Sequence, residues 1–348
     1  MMELCVVGTG MVSPLGLSPE QHAFFVRAEV GPAAPGAFLD AEGETIAVAY
    51  CPWLGAKVPV AERLCALGKR ALGAALGPLF RSTVASGAQP VVALFAVTAA
   101  PRDGLVEEDR RALEQALGAA LRSPCNRLTG EAGFFQGLAE ARTVLAAGTA
   151  SAVAIVAVDS LVSLARIASF QRAAMSPWDP KLPRAAESAA AVVVTTPAEA
   201  RRLGLDVIAT VRSSAVALGS GTDDDDAPVD GAAMAVLIGG AQLTARGRIG
   251  ASFGQHGLGS LRNQEWEMAA ARNVGAFEDT CPMISVEHEI GYLGAAAGAM
   301  GFVHGATVIR HDAWPSDSRE VGDFVAWAIS ADGNRGLCMA TPGSGEGR

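Results

Sequence analysis

Three segments of the chain carry side chains suited to acid-base chemistry or to holding a developing negative charge. A histidine lies in a glycine-rich run, His256-Gly257-Leu258-Gly259-Ser260, and Glu287 and Tyr292 border a glycine- and alanine-rich stretch. Glu131 precedes a third stretch of this kind. A carboxylate can act as a general base, while imidazole and phenol groups can donate hydrogen bonds to an oxyanion. By residue type alone these side chains are suited to acid-base chemistry or to stabilising an oxyanion.

The elements that must position these residues follow an alternating pattern. Apolar runs predict strands over 4–12, 91–97 and 152–158, and alanine-rich stretches predict helices over 60–79, 107–121 and 133–147. The second half predicts strands over 207–216, 248–254, 325–329 and 336–341, with helices over 232–245, 264–274 and 291–306. Strands that are apolar on both faces and alternate with helices indicate a sheet covered on both sides. The fold class is therefore α/β.

Two of the predicted helices, 133–147 and 291–306, are alike in their glycine and alanine content and in their position after a loop. Such similarity suggests an internal duplication. We expect two similar halves, 1–200 and 201–348, whose small-residue helices pack together at the centre. Residues 197–204 are predicted to connect the halves. The acidic run 223–226 is most simply a solvated loop.

Composition and charge argue against several classes of binding partner and of metal or disulfide site. The net charge of −9 argues against binding to nucleic acid or to an anionic membrane, because both need clustered positive charge. The six cysteines lack the spacing of a disulfide framework or a zinc site. No signal peptide, membrane span, metal site or cofactor motif is found, so we expect a cytoplasmic protein without a cofactor.

Five segments, in order along nearly the whole chain, resemble β-ketoacyl synthases, the ketosynthase branch of the thiolase-fold superfamily. They are 6–16, 176–179 with 186–195, the run 256–260 with Glu267 eleven residues after its histidine, 287–298, and the helix that follows Glu131. The resemblance implies a five-layer αβαβα fold made of two similar halves. It also implies that His256 donates a hydrogen bond from Nε2 to an oxyanion.

The resemblance also shows where this chain departs from the family. Glu131 occupies the place of the nucleophilic cysteine, Glu287 that of a lysine, and Tyr292 that of a second histidine. The resemblance thus implies Glu131, His256, Glu287 and Tyr292 as the candidate catalytic residues. The family's phenylalanine-rich gating loop is replaced by residues 330–336. By position in the resembling loops, Ser260, Gly333 and Asn334 are the expected substrate-binding residues.

Condensation in this family needs a thiolate that accepts the acyl group. The first hypothesis is therefore a catalytically degenerate subunit of fatty-acid or polyketide-type metabolism, similar to a chain-length factor. It would form a homodimer, or a heterodimer with a competent ketosynthase, and could meet an acyl carrier protein. A second hypothesis is an enzyme that decarboxylates, hydrolyses or transfers an acyl thioester with Glu131 and His256. A third is an acyl-binding scaffold.

Simpler interpretations of single residues stay open. Glu131 could serve only to stabilise a helix N-terminus, an effect of about 0.3–1 kcal/mol. Cys125, six residues upstream, is an alternative nucleophile if the loop is reorganised. His288 could replace the lost histidine, although a solvent-facing position between two glutamates is more ordinary.

Overall fold

The computed structural model describes residues 2–32, 38–39, 43, 45–87, 90–174, 184–219, 229–255, 261–314 and 320–343. The strands are β1 Leu4–Val12, β2 Val48–Ala49, β3 Val92–Thr98, β4 Cys125–Thr129, β5 Ala152–Ser160, β6 Ala185–Thr195, β7 Ala209–Leu218, β8 Ile249–Phe253, β9 Met283–Ile284, β10 Asp323–Ile329 and β11 Asn334–Pro342. The α-helices are α1 Pro19–Arg27, α2 Val60–Ser86, α3 Glu107–Leu121, α4 Gly133–Ala146, α5 Leu164–Ala174, α6 Pro197–Arg202, α7 Ala232–Gln242, α8 Leu261–Arg272, α9 Val286–Ile290 and α10 Ala297–His311.

The strands repeat one arrangement twice. In the first half the order is β4-β3-β5-β6-β1, and in the second it is β9-β8-β10-β11-β7. In each half the first three strands of this order are parallel, and the fourth is antiparallel to both of its neighbours. The two five-strand units meet where β1 pairs with β7 over three residues. The predicted duplication is confirmed by this topology, and the boundary at residue 200 stays a prediction.

Helices form layers outside and between the two strand units. Helix α2 packs on β1, β5 and β6, with α3 beside it, and α7 packs on β7 and β11, with α8 beside it. Helices α4 and α10 contact strands of both units. The predicted five-layer αβαβα fold is therefore confirmed, with the two counterpart helices in the central layer.

The central layer is close-packed because small residues allow the backbones to approach. A Cβ atom on Gly298 of α10 would lie 2.7 Å from Cε2 of Phe135 and 2.8 Å from the carbonyl oxygen of Glu131. A Cβ on Gly336 would lie 2.3 Å from Cδ2 of the same phenylalanine. Phe135 is fully buried. Glycine at these positions therefore brings α4, α10 and β11 together beside Glu131.

Three predictions about elements need correction. The predicted connector 197–204 contains the short helix α6, with Pro197 at its first turn and the Thr196 side chain as its cap. The second central helix begins at Ala297, after a 3₁₀ turn, and not at residue 291. Strand β4 was missed because its sequence, Cys-Asn-Arg-Leu-Thr, is mostly polar, as an edge strand tolerates.

Within the described ranges, none of the helices combines the length and the apolar character that crossing a membrane would require.

Candidate functional site

Glu131 lies in the tight turn that joins β4 to the central helix α4. Gly130 adopts a φ of +81°, which allows the chain to turn immediately after the strand. The backbone N–H of Ala132 donates a 2.7 Å hydrogen bond to Oγ of Ser330, which fixes the turn to the second half. The Glu131 side chain is buried at the N-terminal end of α4, where the helix dipole favours a negative charge.

The Glu131 carboxylate contacts a phenol and a guanidinium. The Tyr292 hydroxyl donates a hydrogen bond to Oε1 of Glu131. Arg262 Nη1 lies 3.4 Å from the same oxygen and donates a 3.0 Å hydrogen bond to the Tyr292 hydroxyl. The guanidinium also lies over the tyrosine ring, 5.1 Å from its centroid. The three side chains therefore form a closed triangle between the two halves of the fold.

The electrostatics of this triangle favour a neutral phenol and charged arginine. Burial raises the pKa of Tyr292, and the neighbouring Glu131 raises it further against the opposing effect of Arg262. Burial alone would lower the pKa of Arg262, but Tyr292 and Glu131 raise it above its usual range. Tyr292 thus acts as a hydrogen-bond donor.

The segment that carries Tyr292 is held by Asp159 at the end of β5. Asp159 Oδ2 accepts a 2.9 Å hydrogen bond from the Ala295 N–H, and Oδ1 accepts one from Arg102 at 2.5 Å. Gly294 has a φ of +53°, and a Cβ there would lie 2.1 Å from Oδ2 of Asp159. Only glycine therefore allows this segment to pass over the aspartate.

Glu287 is a second buried carboxyl group near the triangle. Its Oε1 accepts a 2.9 Å hydrogen bond from the Leu293 N–H. Burial raises the pKa of Glu287 to about 7; Glu131 adds to the rise, while the Leu293 N–H, Arg262 and Gln255 oppose it. Glu131, Glu287 and Tyr292, proposed from sequence as parts of one site, are therefore brought together.

Gly333 lies in the turn between β10 and β11, and Asn334 is the first residue of β11. The Ser330 N–H donates a 2.7 Å hydrogen bond to the Asn334 carbonyl, and Gly333, at a φ of +87°, accepts a 2.9 Å bond from the Gly219 N–H. The turn approaches the site through Ser330, which caps the Glu131 turn. The predicted roles of Gly333 and Asn334 in substrate binding stay predictions.

Several predicted features fall outside the described residues. These are His256 and Ser260, together with residues 176–179 and the acidic run 223–226. Glu267 lies on α8, where it accepts a 2.8 Å hydrogen bond from Asn263. Glu187, in another of the resembling segments, is fully buried and paired with Arg63 at 2.8 Å, so it joins α2 to β6.

The two alternative residues, Cys125 and His288, lie in surroundings different from those of Glu131. Cys125 lies on the edge strand β4, and burial raises the pKa of its thiol to about 12, which disfavours the thiolate. His288 is 68% exposed and contacts the neighbouring Glu289.

Sequence reasoning missed Arg102, Asp159 and Arg262. Arg102 follows the carboxyl end of β3, and Asp159 lies at the carboxyl end of the neighbouring parallel strand β5. Ligand-binding residues commonly gather at this end of the strands in α/β sheets. That positional signal was present in the sequence. Arg262, in the first turn of α8, carried no comparable signal because its contacts depend on how the two halves meet.

The comparisons with known proteins agree with this geometry. Residues 209–318 match the family described as "Beta-ketoacyl synthase, C-terminal domain". No curated protein sequence matches the chain. Residues 209–318 are therefore similar to the C-terminal domain of β-ketoacyl synthases.

Solved structures resemble the chain over nearly its whole length. One comes from a type II polyketide synthase acyl-carrier protein in complex with its ketosynthase, with a TM-score of 0.74, 15% identity, and coverage of 98% of this chain and 99% of that one. The ishigamide ketosynthase/chain length factor has a TM-score of 0.69, 19% identity, and coverage of 97% and 99%. A ketosynthase from module 6 of the Bacillus subtilis 168 bacillaene synthase has a TM-score of 0.73, 14% identity, and coverage of 99% and 73%. At these identities the likeness shows the fold.

Proposed function

We propose that this protein is a non-condensing, ketosynthase-like subunit of polyketide or fatty-acid-type metabolism in the cytoplasm. The observation that carries the proposal is the state of Glu131. Its carboxylate stands where the resemblance places the nucleophilic cysteine, and it is held by the Tyr292 hydroxyl and by Arg262. The position is thus filled by a carboxylate that two neighbouring side chains engage.

The chemistry of the position supports this proposal. Condensation proceeds through a thioester on an activated cysteine. A carboxylate would form a reactive anhydride, and this one already accepts a hydrogen bond from Tyr292 and faces Arg262. Cys125, the nearest thiol in sequence, has a raised pKa on a sheet edge. The described residues therefore offer no activated thiol at the site.

Partnership with a competent ketosynthase would explain a retained fold without retained condensing chemistry. Two of the similar structures are described as a ketosynthase with its acyl-carrier protein and as a ketosynthase/chain length factor. We propose corresponding partners for this chain: a ketosynthase subunit and an acyl carrier protein. A homodimer is the alternative assembly.

The test is intact-mass spectrometry after incubation with acyl- and malonyl-loaded acyl carrier protein. Three samples are compared: this chain alone, a candidate ketosynthase alone, and the co-purified pair. We expect acylation only on the ketosynthase, and no mass increase or thioester turnover with this chain alone. A covalent acyl adduct on this chain, or a homodimer that binds none of the ketosynthases offered, would contradict the proposal.

One observation favours a second candidate, an enzyme with altered acid-base chemistry. Glu287 is buried near Glu131, and its pKa of about 7 would let it exchange a proton near neutral pH. In that case the chain alone would decarboxylate, hydrolyse or transfer an acyl thioester. Glu131→Gln and Glu287→Gln should then abolish turnover while the fold is retained. Equal thioester loss with and without the protein would exclude this candidate.

A further inference from the structure

Helix α7, in the outer layer of the second half, exposes an apolar face. Its sequence, Ala-Ala-Met-Ala-Val-Leu-Ile-Gly-Gly-Ala-Gln, contains no charged residue. The side chains that it buries against the core are Met234, Leu237, Ile238 and Ala241. On the opposite side Val236 is 71% exposed, and Leu243, at the C-terminal cap, is 88% exposed. A helix that is apolar all round is normally covered on all sides, so this face calls for a partner.

The duplicated fold supplies an internal comparison for this face. Helix α2 holds the corresponding place in the first half, because it packs on β1 and β6 as α7 packs on β7 and β11. The charged residues that α2 exposes are Glu62, Lys69, Arg70 and Arg81. The outer layer is therefore charged in one half and apolar in the other. Exposed apolar patches commonly mark interaction sites, and position in the fold does not account for this one.

The exposed residues of α7 form a stripe in which large and small side chains are arranged symmetrically. Ala232, Val236, Gly239 and Leu243 are spaced by four, three and four residues, so they lie on one side of the helix. When a second α7 lies antiparallel along this stripe, Leu243 faces the second copy's Ala232, and Val236 faces its Gly239. Both pairs are centred between residues 237 and 238. Each large side chain thus meets a small one, which lets the two helices approach closely.

The charged residues at the two ends of α7 follow the same symmetry. Asp230 is exposed just before the helix, where its Oδ1 accepts a 2.9 Å hydrogen bond from the Ala232 N–H. Arg246 is exposed just after the helix, and the midpoint between Asp230 and Arg246 is residue 238. An antiparallel pair places the aspartate of each copy towards the arginine of the other, whereas a parallel pair would place like charges together. Charge complementarity therefore favours an antiparallel second copy.

We propose that the exposed face of α7 is an interface between two copies of this chain, with the two helices antiparallel about a two-fold axis beside residue 238. Val274, 72% exposed, extends the apolar patch, because its 3₁₀ turn Val274–Ala276 contacts α7. A face of three helical turns is smaller than the roughly 800 Å² per partner that a standard interface buries. The contact is therefore weak, with a dissociation constant of about 10–100 µM, and the chains are separate at about 1 µM.

This inference goes beyond the proposed function and does not depend on it. Helix α7 lies in the outer layer, whereas Glu131 lies at the start of the central helix α4, so self-association through α7 leaves the candidate site uncovered.

The test is sedimentation velocity of the full-length protein from about 1 to about 200 µM at pH 7.5. We expect the mass of wild type to double across this range. Val236→Glu places two carboxylates beside the two-fold axis and should weaken the association about tenfold or more. Val84→Glu is the matched control, since Val84 is an 85% exposed valine on the counterpart helix α2, and it should associate like wild type. If Val236→Glu does not fold, Leu243→Lys replaces it, with the same expected result.

A charge swap tests the identity and the direction of the partner. Arg246→Glu alone sets acidic groups of the two copies against each other and should weaken the association about threefold. Adding Asp230→Lys reverses both ends of the face and should restore the association to that of wild type. Recovery in this double variant is expected only when each aspartate meets the arginine of a second copy.

A wild-type mass that does not rise with concentration, or an equal rise in Val236→Glu, would overturn the proposal. No recovery in the double charge variant would overturn the antiparallel second copy. Binding of wild type, but not of Val236→Glu, to vesicles of phosphatidylcholine and phosphatidylglycerol without self-association would assign the face to a membrane instead. Acyl loading of this chain in the earlier experiment would refute the proposed function alone, whereas a chain that stays single would refute this inference alone.

Discussion

Glu287→Gln should change how the stability of the protein depends on pH. Burial raises the pKa of Glu287 from 4.5 to about 7, so the folded state keeps a proton that the unfolded chain releases above 4.5. The stability associated with this proton is complete below pH 4.5 and is lost as the pH rises through 7. Between pH 5 and 7.5 the loss amounts to about 2 kcal/mol. The variant has no such loss.

The buried histidine His304 changes the pH dependence of stability in the opposite direction and provides a second test. His304 on α10 is fully buried, with its ring 5.2 Å from that of His22, and burial lowers its pKa from 6.5 to about 4. The unfolded chain takes up a proton below 6.5 that the folded state refuses. Stability is therefore lost on acidification, by about 2 kcal/mol between pH 7.5 and 5. His304→Leu should remove this loss.

The assay is urea unfolding at pH 5, 6, 7 and 7.5, followed by the fluorescence of the five tryptophans. For each protein, the free energy of unfolding at pH 5 is subtracted from that at pH 7.5. This difference is then compared between each variant and wild type. We expect this difference to rise by about 2 kcal/mol in Glu287→Gln and to fall by about 2 kcal/mol in His304→Leu. If the free energy of unfolding of each variant changes with pH as in wild type, to within about 0.5 kcal/mol, the reasoning is refuted.

Four other substitutions, one of them a control and one made only in a double variant, test the packing and pairing of the fold by thermal or urea unfolding. Gly298→Ala should destabilise the protein by about 1–3 kcal/mol, because its Cβ meets Phe135 and a backbone carbonyl. Gly240→Ala in helix α7, where a Cβ meets nothing within 4 Å, is its control and should stabilise by up to about 1 kcal/mol. Arg335→Met should cost about 3–5 kcal/mol by leaving Glu265 buried and unpaired, and adding Glu265→Leu should restore most of that loss. An equal effect of both glycine variants, or no recovery in the double variant, would contradict these assignments.

Much of the fold could be predicted from the sequence, because local pattern governs it. Strand β1 and helix α3 have the predicted bounds, and the two glycine- and alanine-rich helices lie in the central layer as expected. Apolar runs and helix periodicity act within a few residues, so they can be seen in the chain alone. The elements that the pattern did not predict include the helices α1 and α5 as well as β4 and α6, which are short elements at an edge or at a connection.

The candidate site was predictable only in part. Glu131, Glu287 and Tyr292 could be proposed from their positions in the resembling segments, and the structure brings them together. Their chemical states could not be predicted, since these depend on burial and on partners more than 100 residues away. Arg262, which contacts Glu131 across 131 positions, is the clearest case.

The sequence by itself therefore determined the alternation of elements and the repeat of two halves. Through the family resemblance it also predicts that Glu131 stands in the place of the nucleophilic cysteine. Only the tertiary structure decided that Glu131 faces Tyr292 and Arg262, and that Asp159 holds the Tyr292 segment. The physical reason is the distance along the chain over which each kind of interaction acts. Hydrophobic pattern and turn chemistry act locally, whereas ion pairs and burial depend on how β5, α8 and the 292–295 segment pack together.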